Sequence, residues 1–313
     1  MQKTLTPRLG KKQFPIHILV FLAPAVLVYT IFFIYPLLDT IWLSFFTPEG
    51  SIGTKFAGVQ NYITLFTKEP WASTFWRALS HNIVFFIIAM IVQNVVGLLL
   101  AVLLNARILK GRAYYRTILF APAMLSVVIV GFVWQLILSP IWGVGETLMK
   151  VVGLGSLYRP WLGLESTVFV TICLISCWQY LGVPMMLFLT ALLSISEEIV
   201  EAAKVDGANV CSRFWRIQFP LILPTVGIVT ILTYTGTLNA FDLMFSLKNL
   251  YGHPNFTSDV LGLFYYRTFF GATMTASNPT MGSTIAVTTF LIIMGGVVLY
   301  LATLQRRALK MEG

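Results

Sequence analysis

The chain has 313 residues, 57% of them hydrophobic and 11% charged, with a formal net charge of +9 at pH 7. So few charges among so many apolar residues exclude an ordinary soluble domain and point to a bilayer as the solvent. Nucleic acid is not needed to explain the basic balance, because the charges sit in short juxtamembrane clusters that suit anionic lipid.

A hydrocarbon core of roughly 30 Å needs about 20 apolar residues per crossing helix. Six windows qualify, at 17–38, 83–104, 118–138, 167–193, 221–241 and 282–304, and the only Asp, Glu, Lys, Arg or His side chain in them is His17 at an edge. Backbone groups in lipid must bond within their own segment, so the expected fold is an all-α membrane protein of six transmembrane helices, a single unit over 1–313. Residues 1–16 form an N-terminal tail. The first window carries Pro24 and Pro36 and no small-residue cleavage pattern before Asp39, so it reads as a retained helix, not a signal peptide.

Between the windows, the segments 39–82, 139–166 and 242–281 are long and rich in glycine, proline and aromatics, whereas 105–117 is a short basic turn. Segment 194–220 is polar and reads as two short helices. Ser194 with Glu197 fits a capping box, Glu201 and Lys204 can pair at i,i+3, and Gly207 can stop the first helix. Val210, Phe214 and Ile217 then recur on one face of a second helix, with Ser212, Arg213 and Arg216 largely off it. Residues 305–313 form a C-terminal tail.

Orientation follows from the distribution of lysine and arginine. With the N-terminus cytoplasmic, the inner segments hold 14 Lys and Arg against five acids, and the outer segments seven of each. The whole net charge then faces the cytoplasm, and both termini and the 194–220 projection lie on that side.

Enzyme signatures are missing. The sequence has no GxxxxGK[ST] phosphate loop, HExxH or GxSxG, and the glycines at 143, 145, 153 and 155 complete no GxGxxG pattern. His17, His81 and His253 are too scattered for a metal triad, and Cys173, Cys177 and Cys211 suggest no disulfide framework. No cofactor is expected in this chain. A secondary transporter would need an ion-coupling charge at membrane depth, and a membrane enzyme would need clustered acids or histidines; the windows offer neither.

The spacing Glu201-Ala202-Ala203, three residues, Gly207, nine residues, Ile217-Gln218-Phe219-Pro220 resembles the cytoplasmic signature of binding-protein-dependent ABC importer permeases, with Phe219 in place of leucine. Gly111-Arg112-Ala113-Tyr114-Tyr115-Arg116, Pro122, Gly131, Trp134, Asp206-Gly207-Ala208 and Phe214 are similar to the sugar-permease branch, the maltose-type and glycerol-phosphate-type systems, over roughly residues 15–305. Ser196 departs from the proline common before this projection, and Tyr251-Gly252-His253-Pro254 from a common Gly-Gly-Pro.

The resemblance implies half of a translocation pathway in a bacterial or archaeal inner membrane. Its implied partners are a second permease, a cytoplasmic ATPase dimer that binds ATP and Mg, and an external solute-binding protein. It makes 194–220 a coupling-helix pair, with Glu201, Ala202, Ala203, Asp206, Gly207, Ile217 and Pro220 facing the ATPase. A hydroxylated solute crossing the spans needs polar groups to replace water. Asn82, Gln93, Asn94, Gln135, Gln179 with Trp178 and Tyr180, Tyr234, Asn239 and Asp242 can supply them, against the competing role of each in helix packing. An amino-acid, polyamine or phosphate permease is the alternative within the same class.

Overall fold

The computed structural model describes residues 16–49, 53–106, 110–153 and 155–309, so most of the expected N-terminal tail lies outside the described residues. Among them, four helices are long and apolar enough to cross a membrane: Val20–Leu43, Trp71–Asn105, Leu223–Tyr251 and Pro279–Thr303. Two further pairs reach that length only together, Arg112–Met124 with Val127–Ile137, bent by 96°, and Val168–Tyr180 with Gly182–Leu193, bent by 43°. Counting each pair as one crossing gives six.

The third window is therefore not the straight helix its apolarity suggests. Pro122 lies in a 3-10 turn over Ala121–Met124, and Ser126 is extended at φ −59° and ψ 135°, so the chain turns sharply before Val127. The second window differs at its start. Its helix begins at Trp71, twelve residues before the apolar run at 83, and carries Arg77 and His81 on its added turns. The sixth helix runs through Leu309, so the expected tail at 305 begins as helix.

The two breaks pack against each other. A Cβ built on Gly182 would lie 2.7 Å from Phe120 Cα and 2.9 Å from the Leu119 carbonyl oxygen, an approach that only glycine permits. Nearby, the Gln179 amide donates to the Leu125 carbonyl at 3.2 Å, just after the 3-10 turn.

Three apolar clusters hold the bundle. One joins Phe85, Val130, Ile172 and Met244; a second joins Ala101, Met185, Leu189 and Ile222; a third joins Leu65, Phe75, Phe264 and Ile285. Residues 20–39 of the first span are all exposed, a surface for lipid or for another chain. A short antiparallel hairpin, Phe46–Glu49 with Gly53–Phe56, pairs Phe46 with Phe56 and comes directly after the first span.

The loop after the fifth span is fixed by a buried polar knot. Arg267, on the helix Leu261–Phe270, grips both oxygens of Asp259, and the Leu250 carbonyl accepts from its Nη1 at 3.2 Å. His81 Nδ1 lies 2.6 Å from the Asp259 carbonyl. Asn82 donates to the Thr237 carbonyl at 2.7 Å and accepts from the Leu261 N–H at 2.9 Å, joining the second span to the fifth and to the loop. Burial pushes the Asp259 carboxyl up, and Arg267, Arg77 and His81 draw it back, so its charge depends on the guanidinium staying in place.

Candidate functional site

Two regions collect the residues singled out in the sequence. The first is the projection between the fourth and fifth spans. Its leading helix covers Glu197–Val205 and is capped by Ser196, whose hydroxyl accepts from the Glu198 N–H at 3.3 Å. The cap is not Ser194, whose hydroxyl instead donates back to the Ala191 carbonyl at 2.8 Å. Helix termination obeys the expected chemistry. Gly207 sits at φ +79°, its N–H bonds the Lys204 carbonyl and the Ala208 N–H bonds the Ala203 carbonyl, the two bonds of a Schellman turn.

Asn209 then caps the next turn, accepting from the Ser212 N–H at 2.8 Å. The second half of the projection is not one regular helix: an α-helical turn, Val210–Arg213, passes into a π-helical segment, Phe214–Gln218. Val210 is exposed while Phe214 and Ile217 are half-buried, so the three do not share one buried face.

Glu201, Ala202, Asp206, Gly207 and Pro220 are exposed, and Ala203 is the buried residue of its helix. Among the described residues no ion pair joins Glu201 to Lys204. The root of the projection is anchored, because Ile195 and Phe219 pack onto the cluster of Ala101, Leu104, Leu189, Leu192 and Ile222. Phe219, the departure from leucine, thus fills an apolar seat, ringed also by Phe214 and Trp215.

The second region is a cavity of about 280 Å³ among the second to fifth spans. Of the path candidates, Tyr180, Asn239, Asp242 and Gln93 line it, joined by Ser176, Thr233 and Thr237. Asp242 is the one carboxylate in the lining, which holds no histidine, lysine or arginine. Phe85, Phe241, Leu187 and Leu232 give the walls their apolar part. Such a mixture accepts a solute with hydroxyls on its rim and C–H faces between them.

The other candidates lie elsewhere. Gln179 is buried behind the cavity on its bond to Leu125. The Tyr234 hydroxyl donates to the Ile292 carbonyl at 2.9 Å, holding the fifth span to the sixth, and Gln135 is exposed outside the lining. Asn82 and Asn94 both bond between helices, Asn94 through Thr233 at 3.0 Å.

Sequence reasoning passed over Ser176, Thr233 and Thr237, since hydroxyls in a span ordinarily bond their own backbone. Both threonines do so, to Val229 and to Thr233 respectively, each at 2.8 Å. Their spacing of four residues, with Gly236 beside them, was the available signal. A second cavity of about 430 Å³, between the first and sixth spans and Leu261–Phe270, shares Asn239 with the first.

Comparisons with known proteins cover nearly the whole chain. Residues 93–310 match the family model described as the binding-protein-dependent transport system inner membrane component. A probable ABC transporter permease protein of Bacillus subtilis is 30% identical, over 93% of this chain and 94% of its own. The probable starch degradation products transport system permease protein of Thermoanaerobacterium thermosulfurigenes has the same identity and coverage. The fold is similar to that in the crystal structure of a bacterial ABC transporter involved in the import of the acidic polysaccharide alginate, with a TM-score of 0.78, 22% identity, and 93% of this chain and 95% of that chain covered.

Proposed function

This chain belongs to the family of binding-protein-dependent transport system inner membrane components, and from that premise we propose that it is the permease subunit of an ATP-driven importer for a carbohydrate. It makes six crossings of a bacterial or archaeal inner membrane, with both termini and the 194–220 projection in the cytoplasm, and forms half of the pathway beside a second permease. An ATPase dimer carrying ATP and Mg seats the projection through Glu201, Ala202, Ala203, Asp206, Gly207, Ile217 and Pro220. An external binding protein delivers the solute.

The cavity carries the solute assignment. Tyr180 offers a ring face, Asn239 and Gln93 offer amides, Thr233 and Thr237 offer hydroxyls, and the lining contains no lysine or arginine. A phosphate compound would meet the Asp242 carboxylate with no cation to compensate, so a neutral, hydroxylated solute fits better. Names of relatives point the same way, since one permease is named for starch degradation products and another for trehalose and maltose.

Coupling rests on the anchored root of the projection. Closure of the ATPase displaces 194–220 as a unit, and Phe219, Ile195 and Ile222 pass the displacement to the ends of the second, fourth and fifth spans. ATP binding then favours one cavity orientation through its differential affinity for the two states.

The test is to purify the tagged chain in mild detergent with everything it retains, reconstitute the complex, and measure its ATPase activity with binding protein and a panel of neutral oligosaccharides. Recovery of an ATPase and a second permease, with hydrolysis stimulated by an oligosaccharide, supports the proposal. A chain recovered alone ends the importer reading, and stimulation by an amino acid, polyamine or phosphate compound instead ends the carbohydrate one.

A further inference from the structure

Just after the third span, the helix Val144–Val151 presents a strongly apolar outer face. Val144, Leu148 and Val151 recur at i, i+4 and i+7, and are 56%, 59% and 80% exposed. Ile141 and Trp142, immediately before the helix, are 80% and 82% exposed. On the far side of the same helix Glu146 and Lys150 form an ion pair at 2.7 Å. Apolar and charged stripes therefore lie roughly opposite one another at about 100° per residue.

The helix is held close to the end of the span. Cβ atoms added at Gly143 and Gly145 would fall within 2.2 to 2.8 Å of the Ser139 and Ile137 carbonyl oxygens, so both glycines press onto the last turn of Val127–Ile137. Tyr158 fastens the return of the segment, its hydroxyl donating to the Leu138 carbonyl at 3.3 Å. A helix fixed there cannot swing away from the end of Val127–Ile137.

We infer that Val144–Val151, with Ile141 and Trp142, lies in the headgroup and acyl boundary of the outer leaflet and anchors the bent third span to lipid. Three observations carry this choice of occupant. The exposed apolar residues of the segment follow along the chain on those of the span itself, Val128, Phe132 and Leu136 at four-residue intervals. Its tryptophan is the residue type that settles at membrane interfaces. Low overall apolarity with well-separated faces is the pattern of a helix that lies on a bilayer instead of crossing it.

An anchor at this point has a mechanical consequence. Val130 and Leu138 pack in the cluster with Phe85, Ile172 and Met244, and Val127 lines the 280 Å³ cavity. Holding the far end of Val127–Ile137 in the interface fixes the height of that wall while the fourth and fifth spans move against it.

The experiment uses the assembled transporter in vesicles of phosphatidylcholine and phosphatidylglycerol. Cys211 is exposed and is replaced by serine, while Cys173 and Cys177 are buried and shielded from label. Nitroxides are placed singly at Val151, Leu148 and, as control, Lys150. The inference expects molecular oxygen to relax the labels at Val151 and Leu148 several-fold more than a water-soluble nickel chelate does, with the order reversed at Lys150.

Equal chelate access at all three positions places the helix in water and overturns the inference. Shielding of Val151 and Leu148 from both reagents places the face against another protein chain and also overturns it. Should a cysteine variant fail to assemble, Trp142→Phe provides the second reading: brominated acyl chains must quench the parent protein's fluorescence more than the variant's.

Discussion

Asp259 and Arg267 face each other in a two-point ion pair, with both N···O distances 2.6 Å and both side chains almost wholly buried. Eight residues separate them. The pair closes the loop after the fifth span, and Arg77, 3.9 Å from the same carboxylate, approaches from the second span.

Removing one partner leaves a desolvated charge. Arg267→Met is expected to destabilise the protein by about 3–5 kcal/mol, the usual cost of breaking a buried pair from one side. Asp259 then takes up a proton, so the loss is smaller at low pH than at neutral pH. The double variant Asp259→Leu with Arg267→Met should recover much of the stability. Reversible unfolding in mixed micelles at two pH values measures all three, and a single variant as stable as the parent would show that the pair contributes nothing.

Gly182 and Gly236 make a matched contrast. At Gly182 a Cβ meets Phe120 and Leu119 backbone atoms within 3 Å, whereas at Gly236 nothing lies within 4 Å. Gly182→Ala forces the two breaks apart, at a cost of about 1–3 kcal/mol by overpacking. Gly236→Ala meets no obstacle and gains helix propensity of up to about 1 kcal/mol, yet places a methyl group on a residue that lines the cavity. The first variant should lower the melting temperature in detergent, and the second should leave it unchanged or raise it while slowing uptake.

Much of the bundle was legible because apolar runs of spanning length are a strong signal, and the stop at Gly207 because a left-handed residue after an amphipathic turn has few solutions. The 96° break was not legible: proline is common in membrane helices, and it is the extended pair Leu125 and Ser126 that turns the chain. Arg77 and His81 hid the first turns of the second span, since an apolar window stops at charge even where charge faces a loop. The partner of Asp259 was invisible because side chains eight positions apart do not meet along a single helix or strand, and only the turn of the chain before Leu261 brings Arg267 to it. Polar candidates divided for a similar reason. Composition shows that Gln179 and Asn239 can bond a solute, but only packing puts one behind the cavity wall and the other on it.

In the proposed coupling, Gly207 would act through its backbone alone. It has φ +79° and open space around a would-be Cβ, so any loss on substitution is conformational and not steric. Gly207→Ala should cost about 1–2 kcal/mol in the left-handed region, and Gly207→Asn less. Gly207→Pro also deletes the N–H that bonds the Lys204 carbonyl. If the projection seats in an ATPase, coupled uptake should decline in the order asparagine, alanine, proline while membrane insertion is unchanged. Uptake that is equal in all three would remove the turn from the mechanism.

Asp242 and Tyr180 test the cavity most directly, because both line it and neither anchors a core cluster. A hydrogen bond to a charged acceptor is worth about 1.5–3 kcal/mol, or roughly tenfold to a hundredfold in an equilibrium. Asp242→Ala removes the acceptor and should lower the maximal uptake rate at saturating loaded binding protein by about tenfold or more. Asp242→Asn keeps an acceptor of the same shape and should fall between. Tyr180→Phe retains the ring that would cover a sugar face and loses only the hydroxyl, whereas Tyr180→Ala loses both, so the alanine variant should be the slower. The affinity of the isolated binding protein for its solute must remain constant throughout, since that site lies on another chain. Were uptake indifferent to charge at 242 and to the ring at 180, the solute would have to pass by another route, and the second cavity beside Asn239 would be the next to probe.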